Sequence, residues 1–331
     1  MIILGIDTSC DDTGIGIVNG QEVKANIVAS QTAIHEVWGG VVPEQASREH
    51  LNVIDKVLDE ALKQANLGLS DIDAIAATYG PGLVGTLLVG LSFAKSLAWS
   101  LDKPFIPIHH LEGHIASSVA AGGVKPPFLC LIASGGHTSL FEVKSWGDYV
   151  ELGKSRDDAA GEAFDKVARL LGLGFPGGPA LNKLAEEGDD EAFNLPVPLK
   201  GQKGFEFSFS GLKTATSVLM QKQPDANKAD VAASFERVVV ESLVQVSARA
   251  AQATGYKKIV VAGGVAANKR LRMRFAELGL NTFFPPFSLA TDNGAMIALA
   301  AQYHASSDAA WLRDAQPYLP LATSLRSSAA S

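Results

Sequence analysis

The string His110-Leu-Glu-Gly-His114 places two imidazoles four residues apart. On a helix that spacing puts both on one face, where they can grip a single metal ion. The apolar run at 105–108 reads as a buried strand ending where the pair begins, and open α/β sheets bind ligands at such strand ends. At about 100° of rotation per residue, Glu112 points nearly opposite the midpoint of the two histidines. It therefore cannot act as the general base that the zinc-protease pattern His-Glu-x-x-His requires. A third ligand must come from elsewhere in the chain. A carboxylate in that role would leave open coordination positions suited to Fe(II) or Zn(II).

Four glycine-bearing turns form a second set: Asp7-Thr-Ser-Cys-Asp-Asp-Thr-Gly14, Tyr79-Gly-Pro-Gly-Leu-Val-Gly85, Ala133-Ser-Gly-Gly-His-Thr138 and Ala262-Gly-Gly-Val-Ala-Ala-Asn268. Without side chains at the turn, backbone N–H groups can approach an anion closely, and a following helix adds its positive end. None carries the Lys-Ser/Thr pair of a P-loop. The Gly80–Gly85 stretch has the dinucleotide spacing, but His109 and His110 stand where that fingerprint wants an acidic residue.

The elements that must position these groups follow from periodicity. Strands are expected at 2–6 and 14–18 around the first polar turn, then a helix from Leu51 ending near Gly68, a strand at 72–77, a buried helix at 84–101 and the strand at 105–108. A second hairpin, 128–133 and 138–143, opens another unit. Helices are expected near 157–172, 178–187, 211–221 and 228–254, a strand at 258–261, a helix from Ala267 and a last one at 293–303, with a loop at 188–210 and a frayed tail at 324–331. Two units that each open with a hairpin around a polar turn imply a duplicated α/β architecture with a ligand held between them. The expected division is 1–110 plus about 293–331 as one lobe, and 111–292 as a second lobe carrying the metal and nucleotide sites.

A chain of 331 residues, 47% hydrophobic and 19% charged, is globular and long enough for two cores. No apolar run reaches a membrane span, no basic leader opens the chain, and two unpaired cysteines support no disulfide framework, so a cytoplasmic protein is expected. The net charge of −7 resides in the first 110 residues, which hold six Lys and Arg against thirteen Asp and Glu. Local basic clusters, Lys269 with Arg270, Arg272 and Arg274, and Lys200 with Lys203 and Lys213, lie in the balanced remainder.

The ordered strings Ser9-Cys-Asp-Asp-Thr-Gly14, Gly39-Gly-Val-Val-Pro-Glu44, Gly80-Pro-Gly-Leu-Val-Gly85, His109-His-Leu-Glu-Gly-His114, Ser134-Gly-Gly-His-Thr138, Asp157-Asp-Ala-Ala-Gly-Glu-Ala-Phe-Asp165, Phe175-Pro-Gly-Gly178, Phe207-Ser-Phe-Ser-Gly-Leu-Lys213, Ala262-Gly-Gly-Val-Ala-Ala-Asn268 and Thr291-Asp-Asn-Gly294 span the chain. With them the chain resembles the actin-like ATPase and sugar-kinase superfamily, and within it the tRNA N6-adenosine threonylcarbamoyltransferases, long labelled glycoproteases. The resemblance implies a two-lobed actin-like fold of duplicated ribonuclease-H-like units. It implies transfer of threonylcarbamoyl from threonylcarbamoyl-adenylate to N6 of the adenosine 3′ of the anticodon in tRNA. It assigns His110, His114 and Asp292 to one divalent metal, Fe(II) before Zn(II), and Asp11 and Asp12 to catalysis. Ile132, Ala133, Ser134, Gly135, Gly136, His137, Asp165, Gly178 and Asn268 are assigned to the adenylate, whose place ADP or ATP could take. It also implies tRNA, a paralogous partner of the same fold and a small ATPase as partners, and no membrane. The family's usual Glu is replaced by Asp7 and Asp12, which shortens both side chains by one methylene. A metallopeptidase and a nucleotide-gated interaction module are the alternatives.

Overall fold

The computed structural model describes residues 1–174 and 176–325. Phe175 of the Phe-Pro-Gly-Gly string lies outside the described residues, as does 326–331 of the tail expected to fray over 324–331; 324–325 instead form a strand, because they pair with residues 150–151. The chain opens with three antiparallel strands, β1 (Ile2–Asp7), β2 (Asp12–Asn19) and β3 (Glu22–Ser30). Apolar β-branched residues bury the first two. The third was not legible as a strand, because it is half-exposed and interrupted by Lys24 and Asn26. After α1 (Thr32–Glu36), α2 (Pro43–Ala65) starts on a proline at its first position and stops at Asn66, whose φ of 54° is left-handed. Two β-α steps follow: β4 (Ala74–Gly80), α3 (Val84–Ser100), β5 (Phe105–His109) and α4 (His110–Gly122). The resulting sheet runs β3-β2-β1-β4-β5, with β4 and β5 parallel to β1.

The second unit repeats this plan. A meander of β6 (Phe128–Ala133), β7 (Thr138–Ser145) and β8 (Asp148–Lys154) precedes α5 (Ala160–Leu171), α6 (Gly177–Ala185), α7 (Ser210–Lys222) and α8 (Lys228–Thr254). Then come β9 (Lys258–Ala262), α9 (Lys269–Ala276) and β10 (Asn281–Phe283). Its sheet runs β10-β9-β6-β7-β8-β11, where β11 (Ser324–Leu325) is a two-residue edge strand. Without β11, the order and directions are those of the first sheet, so the expected duplication exists at the level of topology. The core of this unit gathers α8, α5 and the inner face of β6 and β9 around Phe164, Phe207, Phe209 and Phe235.

The chain returns to the first unit with α10 (Gly294–Ala301) and α11 (Asp308–Trp311). The compact units are Met1–Gly123 with Pro285–Leu321, and Val124–Phe284 with the chain from Ala322. This corrects the expected division at 110 and 293, since α4 and Asp292 both belong to the first unit. The reason is packing: Gly113 lets α4 lie on α10, where a Cβ would come within 3.0 Å of Met296 and 2.9 Å of Ile297. Helix α10 presses equally closely on β1 and β2. A Cβ on Gly16 would stand 2.2 Å from the Ala295 nitrogen, and one on Gly294 would stand 2.3 Å from the Gly16 nitrogen. Among the described residues no helix is long and apolar enough to cross a membrane.

The clash at Gly16 is with backbone and cannot relax by a rotamer change. Gly16→Ala is therefore expected to lower stability by about 3 kcal/mol. Gly211→Ala, where a Cβ meets nothing within 4 Å, should change it by less than about 1 kcal/mol. Urea denaturation followed by circular dichroism would check both.

Candidate active site

Helix α4 begins directly after the last residue of β5, so its first turn is aimed by the sheet. His109 caps it: Nδ1 accepts the Leu111 N–H (3.1 Å), which places the proton on Nε2, donated to the Leu319 carbonyl (3.1 Å). His110 and His114 then project from one face, with ring centroids 4.8 Å apart. Asp292 meets them from the residue before the α10 cap, its Oδ1 lying 3.6 Å from His110 Nε2 and 3.2 Å from His114 Nε2. Asn293 fixes that approach by accepting the Met296 N–H (2.9 Å) and donating to the Thr291 carbonyl (2.8 Å). The Thr-Asp-Asn-Gly string is thus ligand, cap and close-contact glycine in succession.

The three side chains offer ligand atoms within 4.8 Å of one another. His114 tests their fit to a cation. Its ring is fully buried, yet neither nitrogen is aligned for a hydrogen bond, because Asp292 is near but off axis. A buried polar group left in that state costs about 1–3 kcal/mol, which a coordinated cation would offset. Burial pushes the His110 imidazolium down, but the carboxylates of Asp292 and Asp7 outweigh it and hold the ring up at about 9. The site thus has the negative potential that a divalent cation needs. Two nitrogens and one carboxylate oxygen are the donors that would hold such a cation, and three protein ligands would leave further positions open to substrate or water.

Asp7 is the carboxylate behind His110. It is 1% exposed, accepts hydrogen bonds from Thr78 and Ser9 (3.1 Å), and lies 3.3 Å from His110 Nδ1. The shorter side chain thus reaches its imidazole directly, in the arrangement that orients a metal-bound histidine. On the same turn, Asp12 has one buried oxygen without a hydrogen bond. Burial, with Asp11, Asp292 and Asp7 adding to it against a hydrogen bond from Ser30, raises its carboxyl to about 7. Glu112 turns away from the set, as helix phase requires, and pairs with His304 at 3.1 Å. That pairing removes the base a peptidase would need.

The residues assigned to adenylate lie in the second unit. Ile132 and Ala133 end β6 as buried strand, and 134–137 form the tip of the β6–β7 hairpin, where Ser134 donates its N–H to the His137 carbonyl (2.8 Å). Gly263, at φ 88°, passes so close that a Cβ would stand 2.5 Å from the Ala133 oxygen. Gly135, Gly136 and Gly178 differ: a Cβ there meets nothing within 4 Å, so packing does not explain them. Asp165 on α5 accepts the N–H groups of Gly177 (2.8 Å) and Gly178 (3.2 Å) and so caps α6. Asn268 caps α9 through Leu271 (2.7 Å) and donates to Glu236 (2.6 Å). Asn182 turns its amide nitrogen toward Glu236 (3.1 Å) and the Gly178 carbonyl (3.3 Å). Sequence reasoning named Asp7 and His109 without giving either a structural role, and missed Asn182, Glu236 and His304. Only Glu236 left a signal, a charge at a core position of α8 between Ala232 and Val239.

The basic clusters do not stand free. Lys269 pairs with Glu186 (2.7 Å), Arg270 with Asp190, Arg274 with Glu241 (3.1 Å) and Glu277, and Lys213 with Asp158 (2.8 Å). Arg272 stacks over Phe284 at 4.9 Å and donates to the Ala266 carbonyl. Lys200 and Lys203 are exposed and carry no ion pair among the described residues.

The repeated sheet and the histidine–carboxylate set define an actin-like ATPase fold bearing a candidate metal centre. Component A of the Acidaminococcus fermentans (R)-2-hydroxyglutaryl-CoA dehydratase matches with TM-score 0.55 at 18% identity, over 91% of this chain and 96% of its own. HypF of T. kodakarensis matches with TM-score 0.60 at 15% identity, over 91% and 47%. At those identities the likeness establishes the fold alone. Residues 22–299 match the profile of tRNA N6-adenosine threonylcarbamoyltransferase. The protein of that name from Thermus thermophilus is 57% identical over 301 residues, covering 91% of this chain and 92% of the relative. One from Cyanothece sp. is 53% identical over 315 residues, covering 91% of each. The chain belongs to the tRNA N6-adenosine threonylcarbamoyltransferase family and is a transferase of tRNA modification.

Burial raises the Glu236 carboxyl from an ordinary 4.5 to about 7, against the hydrogen bond from Asn268 and with Glu186 adding to it. Between those values the folded state binds the proton and the unfolded state does not, so stability falls as pH rises from 4.5 to 7. Glu236→Gln should therefore gain on the wild type by about 2–3 kcal/mol between pH 5 and pH 8. Urea titrations at both pH values would check it.

Proposed function

We propose that the chain moves the threonylcarbamoyl group of threonylcarbamoyl-adenylate to N6 of the adenosine 3′ of the anticodon, with one divalent metal on His110, His114 and Asp292. The observation that carries the metal is His114, a fully buried imidazole without a hydrogen bond beside a carboxylate at 3.2 Å. In the balanced step the N6 amine bonds to the carbamoyl carbon, the bond from that carbon to the phosphate oxygen breaks, AMP leaves, and the amine gives up a proton. An aryl amine is a weak nucleophile and AMP a good leaving group, so the work lies in orienting the donor and polarising its carbonyl. A bound metal supplies a Lewis acid for the threonyl carboxylate or hydroxyl. Asp7 holds the ring of His110 toward that position.

The hairpin tip at Ser134, Gly135, Gly136 and His137 presents the backbone to the phosphate. Asp165, Gly178 and Asn268 take the ribose and base. Asp11 steers the amine, and Asp12, with its carboxyl at about 7, is matched to accept the proton near neutral pH. The paralogous partner and the small ATPase are assigned to the faces of α2 and α3, supported by solvent-facing Leu51, Val84 and Leu88. The phosphates of tRNA are assigned to Lys200 and Lys203, the exposed members of the basic clusters that carry no ion pair among the described residues.

Incubation of tRNA with synthesised threonylcarbamoyl-adenylate and the partners, followed by mass spectrometry of the nucleosides, should reveal threonylcarbamoyladenosine. Its absence would overturn the reading. His110→Ala or His114→Ala should strip the metal, measured by elemental analysis, and lower the yield roughly a hundredfold or more.

Reversing Lys200 and Lys203 to glutamate should weaken tRNA binding and lower the slope of log affinity against log salt by about one per lysine. Reversing the carboxylate-paired Lys269 should change that slope less. Filter binding across a salt series separates the two.

A further inference from the structure

Helix α4 is tied to the α10 segment on more than its histidine face. Glu112 is 5% exposed, and its carboxylate lies 3.1 Å from Nε2 of His304, an ion pair set off the axis of a hydrogen bond. His304 follows α10 in the chain, as Asp292 precedes it. Between these two ties, Gly113 lies against Met296 and Ile297. The two segments thus exchange carboxylate–imidazole pairs with the roles reversed. Asp292 beside α10 meets the histidines of α4, and Glu112 of α4 meets the histidine beyond α10.

A buried carboxylate is costly unless paired, and an apolar side chain would fill the same space without that cost. The pair therefore calls for a role beyond packing, and its place on α4 supplies one. Rotating a helix by about 20° about its axis swings a histidine nitrogen, roughly 7 Å out, through about 2 Å. That is a whole metal–ligand bond length.

We propose that Glu112 and His304 form a clamp that sets the rotation of α4 against α10 and so keeps His110, His114 and Asp292 at metal-binding spacing. Both are positioning residues and neither is a ligand. The inference rests on reading those three residues as the metal set.

Cobalt(II) titration of the chelator-treated full chain, followed by visible absorption, tests it. Glu112→Gln and His304→Ala should each raise the cobalt Kd by about 10–100-fold and alter the ligand-field bands, while circular dichroism stays that of the folded chain. The double variant should be no weaker than the worse single variant, because one interaction is removed either way. His304→Arg, which returns a cation opposite Glu112, should restore most of the affinity. If Glu112→Gln does not fold, the His304→Ala and His304→Arg pair carries the comparison. Wild-type Kd and spectrum in the folded single variants, additive losses in the double, or His304→Arg as weak as His304→Ala would overturn the clamp alone. Wild-type chain that binds cobalt no better than His110→Ala would overturn the metal reading and the clamp with it.

Discussion

The burial of ionisable groups at the start of α4 is the constraint on which the first unit depends. Asp7 sits at 1% exposure, His114 is fully enclosed, and Asp292 is brought against them. Charges so placed persist only when neighbours satisfy them. Thr78 and Ser9 serve Asp7, the Leu111 N–H and Leu319 carbonyl serve His109, and Asn293 holds the chain that presents Asp292. That presentation requires α10 to lie almost on the backbone of β1 and β2, which explains glycine at positions 5, 14, 16 and 294. The glycines of the first strands therefore serve the histidine–carboxylate set from a distance, by admitting the helix that follows Asp292.

In the second unit, the side chains proposed for recognition also carry structural duties. Asp165 and Asn268 cap α6 and α9, and Asn268 is further held by a buried glutamate. A capping residue is rigid because its partners are backbone groups of a helix. Such rigidity is what an orienting contact to a nucleotide requires. The open glycines at 135, 136 and 178 lie among these fixed groups, so the backbone there is exposed while its surroundings are pinned.

The electrostatic surface shows how composition can mislead. Four cations within six residues of α9 look like a polyanion footprint, yet Glu186 and Asp190 just beyond α6 and Glu241 on α8 neutralise most of it. The carboxylates lie up to 83 residues away in sequence. Lys200 and Lys203 remain exposed, with no ion pair among the described residues.

The sequence by itself determined the local facts. Four-residue spacing on a helix fixes which face His110 and His114 share and that Glu112 leaves it, because helical rotation is a property of the backbone alone. Apolar periodicity placed most of the helices and the inner strands, and ordered motifs pointed to the family and the fold. Tertiary structure decided the rest. The half-polar strands β3 and β8 exist through pairing with β2 and β7, which no pattern within them announces. The unit boundary follows the packing of α4 on α10, formed by residues some 180 positions apart. The roles of Asp7, His304 and Glu236 depend on partners brought close only by folding, since a carboxylate's function is set by what it faces and by how much water it loses.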